Sequence, residues 1–208
     1  IKAQLRLNNQ SVSGLLIPEF FESAAPQPVV RQRISIVLPV YNAFDLLHEC
    51  LDRVARHTDL PYRLILVEDC STDTRVRPFL RDWAAGRPEV ELIENNKNLG
   101  FIGSVNRGLA LAVQADGPIV LLNSDALVPQ DWASRLIAPL QQNPGYASVT
   151  PMSNDAEILS VPVLCQRTML MPGQGDAIDA VARRLSPDVL LPKLPTGVGF
   201  CMALARDW

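Results

Sequence analysis

Three short apolar runs end abruptly in polar residues: Ile34–Val40 in Tyr41-Asn42, Leu64–Val67 in Glu68-Asp69, and Ile119–Leu122 in Asn123-Ser124-Asp125. Uninterrupted Val, Ile and Leu, without apolar–polar alternation, is the pattern of strands covered by helices on both faces. The intervening sequence supplies those helices. Leu47, Cys50, Leu51, Val54 and Thr58 recur at helical spacing, with Asp45, Glu49, Asp52, Arg53 and Arg56 opposite them, which predicts an amphipathic helix over 44–57. A second strand over Arg63–Glu68 leads through Ser71-Thr72-Asp73, residues suited to capping, into a helix ending near Gly86-Arg87-Pro88. A strand at Val90–Glu94 and a polar loop at Asn95-Asn96-Lys97-Asn98 follow. Gly100 then opens a helix whose apolar positions are Ile102, Val105, Leu109 and Val113. The order βαβαβαβ predicts an α/β fold with right-handed crossovers and a mostly parallel sheet flanked by helices. In such a sheet the polar strand ends open into one crevice.

Further along, the pattern predicts a helix over Gln130–Gln142, a strand over Ala147–Thr150, a mostly irregular stretch over Met152–Leu164 and a helix over Asp176–Leu185. The apolar segment Val198–Leu204 comes last. With 208 residues and 48% hydrophobic content, the chain can bury a full core as one domain plus a tail. Residues 1–33 read as an arm, with Leu5–Phe21 packing locally, and a linker through Pro26-Gln-Pro28 and Arg31-Gln-Arg33; residues 34–208 read as the folded domain. The sequence starts at Ile1 and stops at Trp208, directly after an apolar segment, as expected of a piece of a longer polypeptide truncated at its C-terminal end.

Composition narrows the partners. A net charge of −3 with dispersed basic residues predicts no nucleic-acid partner. Cys50, Cys70, Cys165 and Cys201 form no CxxC pair, which argues against a zinc site or a disulfide framework and for reduced thiols in the cytoplasm. No apolar stretch reaches the roughly 18 residues of a membrane span, and the N-terminus lacks a signal-peptide layout.

The strand ends carry the candidate chemistry. Asp125 can bind a hard divalent cation that completes its coordination with water and phosphate, or Asn-Ser-Asp can simply form a turn. Asp69 can accept a hydrogen bond from a nucleobase N–H or a ribose hydroxyl, or cap the following helix. Gly100 and Gly103 at a helix start can bring backbone amides to a diphosphate, with Asn106 and Arg107 one turn further in, although the spacing does not match GxGxxG. His48 and His57 stand at neither metal-ligand nor triad spacing, and Ser71 and Ser104 lack a GxSxG elbow, so a hydrolase triad has no support.

Taken together, these segments resemble an inverting family-2 glycosyltransferase with the GT-A fold, a Rossmann-like nucleotide-diphospho-sugar transferase architecture. The motifs in order are Pro39-Val40-Tyr41-Asn42, Glu68-Asp69-Cys70-Ser71-Thr72-Asp73, Asn98-Leu99-Gly100-Phe101 continuing to Asn106-Arg107-Gly108, and Leu121-Leu122-Asn123-Ser124-Asp125. Val128-Pro129, Trp132, Thr150-Pro151-Met152-Ser153-Asn154 and Gly199-Phe200-Cys201-Met202 are similar to a rhamnosyltransferase-like subgroup that assembles polysaccharide. The resemblance spans about 34–208.

The resemblance implies that Pro39 and Tyr41 lie against the base and ribose, that Asn42 belongs to the nucleotide-binding set, and that Asp69 meets the uracil or thymine N–H. It places Asn123 and Ser124 along the sugar-diphosphate and Asp125 on Mg²⁺ or Mn²⁺; Gly100, Asn106 and Arg107 join the nucleotide-binding set through the helix start described above. The implied partners are a UDP- or dTDP-sugar donor, a saccharide acceptor and further domains of the same polypeptide. The implied location is the cytoplasm, at the inner membrane face through other parts of the protein. Two positions depart from the commonest family pattern: Glu68 replaces an Asp, and Asn123 replaces the first Asp of DxD. The second change removes a charge near the metal, so affinity for metal without nucleotide is expected to be low.

The family's catalytic base lies in an acidic motif after the Gly199–Met202 segment. Here only Asp207 follows, in a position that precedes the base motif. The expectation is therefore that these residues bind donor but transfer little sugar, the base lying beyond Trp208. Two other readings compete. A non-catalytic GT-A-like module within a larger assembly predicts loss of Asp69 and Asp125, both of which are present. A nucleotidyltransferase or dinucleotide oxidoreductase predicts a glycine-rich phosphate loop after the first strand, which is missing.

Overall fold

The computed structural model of the chain describes residues 30–161, 163–184 and 193–206. The chain divides into two compact units: Val29–Leu170 with Thr196–Trp208, and Ile1–Pro28 with Met171–Pro195. The first holds the sheet. Its elements are β1 (Ile34–Val40), α1 (Phe44–His57), β2 (Tyr62–Glu68), α2 (Val76–Ala84), β3 (Val90–Glu94), α3 (Gly100–Ala112), β4 (Ile119–Leu122), α4 (Trp132–Gln142) and β5 (Ser148–Val149). In the second unit lies α5 (Gln174–Ala182), and the first unit closes with β6 (Cys201–Leu204).

The six strands are ordered β3-β2-β1-β4-β6-β5. β1 pairs in parallel with β2 and β4, and β2 with β3, as the βαβ pattern requires. β6 runs antiparallel between β4 and β5, so the expected mostly parallel sheet is present, with one reversed strand near its edge. The apolar run at the end of the sequence thus pairs directly with the strand that ends in Asn123.

Alternate residues of the apolar runs feed two cores, which is why the runs are continuous. Ile34, Ile36, Leu38 and Val40 pack with Leu64, Leu66, Val120 and Leu122 against Leu47, Leu51 and Val54 of α1, Val76 and Leu80 of α2, and Leu136 and Ile137 of α4. Val37, Ile65, Val67, Ile119 and Leu121 face the other way, against Val105 and Ala112 of α3. α1 matches its predicted range and buries Leu47, Cys50, Leu51 and Val54; Asp45 in its first turn and Arg56 and His57 in its last complement the helix dipole.

Two expectations need correction. The predicted apolar stripe of α3 is rotated: the helix buries Ser104, Val105, Gly108 and Ala112, leaving Ile102 74% and Val113 52% exposed. Small residues win because α3 lies against β1 so closely that a Cβ on Gly108 would stand 2.3 Å from Val37 Cγ1. Of Ser71-Thr72-Asp73, Asp73 alone serves the start of α2: its Oδ1 accepts from the Arg75 N–H at 3.0 Å and its carbonyl from the Val76 N–H at 3.1 Å. Ser71 and Thr72, with the Asp73 amide, tie the ends of β1 and β2 together. The stretch after β5 is mostly irregular, as expected, with one 3-10 turn, Glu157–Leu159, and a bridge between Ser153 and Ser160 among its described residues. The proposed arm over Leu5–Phe21, Leu185 and Asp207 lie outside the described residues.

Candidate functional site

β1, β2 and β4 end on the same edge of the sheet, and β1 lies between the other two. Tyr41 at the middle tip is 45% exposed. Asn42 and Ala43 beyond it, and Cys70 after β2, all have positive φ, 57°, 53° and 55°, an unfavourable conformation for residues with a Cβ. Hydrogen bonds hold the turn in place. Asn42 Oδ1 accepts from the Thr72 N–H at 3.0 Å, the Thr72 hydroxyl at 3.2 Å and the Asp73 N–H at 3.0 Å, while the Asn42 N–H donates to Ser71 Oγ at 3.0 Å. Asn42 therefore staples two strand ends, which fixes where Tyr41 stands. Asp73 accepts from the Arg75 side chain and backbone, and these bonds draw its carboxyl down to about 2.

The end of β2 is closed from beneath. Glu68 is fully buried; it accepts from the Ser71 N–H at 2.6 Å and from Arg77 Nε at 2.7 Å, with a second, shorter contact to the same guanidinium. Arg77 also donates to the Asn95 carbonyl at 2.9 Å. Glu68 is thus an anchor for the β2 turn and for α2, a role that position in the sequence did not reveal.

Asp69 is 3% exposed. Its Oδ1 accepts from Asn95 Nδ2 at 2.7 Å and from the Leu99 N–H at 2.8 Å. Burial opposes its charge, but the Leu99 amide, Asn95, Ser104 and the Gly100 amide together hold its carboxyl below the ordinary value. The Gly100 N–H also donates to Asn98 Oδ1 at 3.0 Å, so the first amides of α3 are engaged within the chain. Gly100 has φ +72°, which requires glycine there, and a Cβ on it would meet open space. Asn106 and Arg107 are exposed on α3, and Arg107 donates to Asn95 Oδ1.

The end of β4 is built differently. Its backbone is fixed: the Asn123 N–H donates to the Phe200 carbonyl at 2.8 Å, which extends the β4–β6 ladder, and the Asn123 carbonyl accepts from the Ala126 N–H at 3.2 Å. The Cys50 thiol reaches the same carbonyl at 3.6 Å from α1. Burial, and after it the nearby Asp125 charge, push that thiol up to about 12, so it stays protonated as a donor. Cys201, on β6, is pushed up to about 12 as well, again chiefly by burial.

The side chains of Asn123, Ser124 and Asp125 make no hydrogen bond or ion pair among the described residues. Asp125 is exposed. No cluster of three or more His, Cys, Asp or Glu able to hold a metal occurs among the described residues. A lone, unpartnered carboxylate beside neutral Asn and Ser suits a hard cation whose remaining ligands are waters and phosphate oxygens.

The edge thus gathers Pro39, Tyr41, Asn42, Asp69, Asn123, Ser124 and Asp125 at strand ends, with Gly100 at the start of α3. The sequence reading passed over Glu68 with Arg77 as a pair, Ser71, and above all Asn95. Only its position as the first residue after β3 pointed to Asn95.

Comparison with known proteins follows the same line. The model of the family described as Glycosyl transferase family 2 matches residues 35–208. A poly(ribitol-phosphate) beta-glucosyltransferase of Bacillus spizizenii is 36% identical over 96 residues, covering 45% of this chain and 15% of that protein. An undecaprenyl-phosphate 4-deoxy-4-formamido-L-arabinose transferase of Proteus mirabilis is 31% identical over 123 residues, covering 55% and 35%. Among solved structures, a mannosyltransferase of Pyrobaculum calidifontis in complex with GDP-Man and Mn²⁺ matches with a TM-score of 0.54 and 27% identity, covering 62% of this chain and 38% of that one. The chain spans well under half the length of each of these three proteins.

Proposed function

The chain belongs to glycosyl transferase family 2, and on that premise we propose that it carries the donor site of an inverting glycosyltransferase that passes sugar from a nucleoside diphosphate to a saccharide acceptor. The observation that carries this reading is the contrast along one sheet edge: Asp125, exposed and unpartnered, stands beside Asn123 and Ser124, while the other strand ends are internally braced. The Pyrobaculum mannosyltransferase, solved with GDP-Man and Mn²⁺, supports a nucleotide sugar and a divalent cation as the ligands.

In this reading Tyr41 and Pro39 face the base and ribose, and the Asp69 carboxylate accepts the base N–H. Asn42 keeps the β1 turn in shape, and Gly100, Asn106 and Arg107 form the wall along α3. Asn123 and Ser124 contact the diphosphate, and Asp125 holds Mg²⁺ or Mn²⁺. When bound, that cation offsets the negative charge that builds on the departing nucleoside diphosphate. Because Asp125 is the lone carboxylate at its strand end, cation and nucleotide bind together and each weakly alone. The residue that deprotonates the acceptor hydroxyl is expected after the Gly199–Met202 segment.

The rhamnosyltransferase-like motifs favour a dTDP- or UDP-linked donor and polysaccharide assembly. A cytoplasmic site at the inner face of a membrane is consistent with this role. No helix among the described residues is long and apolar enough to cross a membrane, so attachment would come from other parts of the protein.

Titration calorimetry of UDP, dTDP and GDP with and without Mn²⁺ tests the proposal. At least one nucleotide is expected to bind more tightly with Mn²⁺, and Asp125→Ala is expected to abolish the Mn²⁺-dependent gain. No metal-dependent binding of any of the three would favour the non-catalytic module.

A further inference from the structure

Asn95 is 1% exposed, and its neighbours engage both ends of its side chain. Nδ2 donates to Asp69 Oδ1 at 2.7 Å and to Ser104 Oγ at 3.0 Å, while Oδ1 accepts from Arg107. Its backbone is held too: the N–H donates to the Glu68 carbonyl at 2.8 Å, and the carbonyl accepts from Arg77 at 2.9 Å. One residue therefore joins β2, α2 and α3.

The amide can face only one way. A carboxylate has no proton to give and a guanidinium has no acceptor, so the NH₂ must meet Asp69 and the oxygen must meet Arg107. No other side chain of this size presents two donors on one side and an acceptor on the other. An apolar replacement takes one hydrogen bond each from Asp69, Ser104 and Arg107, and the first two of these are buried. Aspartate would set a second carboxylate against Asp69.

We propose that Asn95 is a positioning residue for the donor site: it orients the Asp69 carboxylate and, through Asp69 Oδ1, the Leu99 amide that begins α3. The base-contacting end of the site and the start of α3 are thereby fixed as one unit. The consequence for ligand affinity rests on the nucleotide-sugar reading above; the consequence for Leu99 does not.

The test is Asn95→Asp, followed over pH by two measurements on the 208-residue chain: hydrogen exchange of the Leu99 amide, and calorimetric affinity for UDP, dTDP and GDP with Mn²⁺. The introduced carboxylate and Asp69 would share a proton at low pH, because two adjacent carboxylates cannot both ionise freely. The charged groups around the pair are Arg107 on α3, Arg77 on α2 and Glu68 on β2. At about pH 5 the protonated pair imitates the amide, and the variant should approach the natural protein. By about pH 8 Leu99 protection and nucleotide affinity should both lie about tenfold below those of the natural protein measured at the same pH.

Exchange at Leu99 and affinity that match the natural protein at both pH values would overturn the proposal. If Asn95→Asp does not fold, Ser104→Ala removes one of the two acceptors of Nδ2. It should raise Leu99 exchange and weaken nucleotide binding about two- to fivefold, roughly what one lost hydrogen bond is worth, without pH dependence; no change in Leu99 exchange would again overturn the positioning role. If Leu99 loosens with pH in Asn95→Asp but the natural protein binds no nucleotide, the positioning of Asp69 and Leu99 stands and the nucleotide reading falls.

Discussion

The ends of β2 and β3 and the end of β4 carry the same residue types, Asp and Asn, on one edge of one sheet, yet their side chains behave in opposite ways. Asp69 and Asn95 are buried, and Asp69 Oδ1 and both ends of the Asn95 amide are bonded within the chain. Asn123 is anchored through its backbone alone, and the side chains of Asn123, Ser124 and Asp125 make no hydrogen bond or ion pair among the described residues. The edge divides its work accordingly. A braced end gives a ligand a surface of fixed shape, which lowers the ordering cost of binding. An unbraced carboxylate keeps its full charge available to a cation.

The strongest attack on the braced side is Glu68→Ala. It leaves Arg77 facing a buried gap and releases the Ser71 amide. Breaking a buried pair by removing one partner is strongly destabilising, and here the loss should be about 3 kcal/mol, at the low end because Arg77 is one-third exposed and can rehydrate. For a chain of this size that lowers Tm by about 6 to 12 °C in thermal unfolding. A shift below a couple of degrees would mean that the β2 end is not braced through Glu68.

Acid unfolding probes the same side more gently. The folded Asp69 carboxyl lies below its ordinary value of 3.8, so its ionised form favours folding. That contribution is complete above pH 3.8 and is lost as pH falls through the lowered value. Asp73 behaves likewise, losing its contribution as pH falls from 3.8 through about 2. Asp69→Asn keeps an acceptor for Asn95 and Leu99 but has nothing to titrate. Its stability should therefore decline less steeply below pH 3.8, measured by urea unfolding at several acidic pH values. Equal slopes for both proteins would remove Asp69 from the account.

The smallest effect on stability is expected on the open side. Asp125→Ala removes an exposed side chain without a partner and should leave unfolding within about 0.5 kcal/mol of the natural protein, even as the Mn²⁺-dependent part of nucleotide affinity disappears. A loss of stability close to that of Glu68→Ala would erase the contrast between the two ends.

Much of this edge was legible before any coordinates. The continuous runs at 34–40, 64–67 and 119–122 predict a doubly covered sheet, because only strands buried on both faces lack alternation. The start and end of α1 follow from its helical stripe. α3 was misread because hydrophobicity favours Ile102 and Val113, whereas the packing distance to Val37 favours Gly108. Periodicity reports which residues are apolar, not how near the facing strand will come. The second role of Ser71–Asp73 is hidden for a related reason: these residue types suit a helix start, which Asp73 does serve, but only the folded chain brings Asn42 to the Thr72 and Asp73 amides and Glu68 to the Ser71 amide.

Residue order and local pattern were enough to specify the family, the parallel core and the polar strand ends. Which polar residues are braced and which are open emerged only once the chain was folded. That property depends on partners far apart in the chain, such as Asp69 with Leu99, Glu68 with Arg77, and Asn123 with Phe200, and pairing at such separations is set by the packing of strands and helices rather than by neighbouring residues.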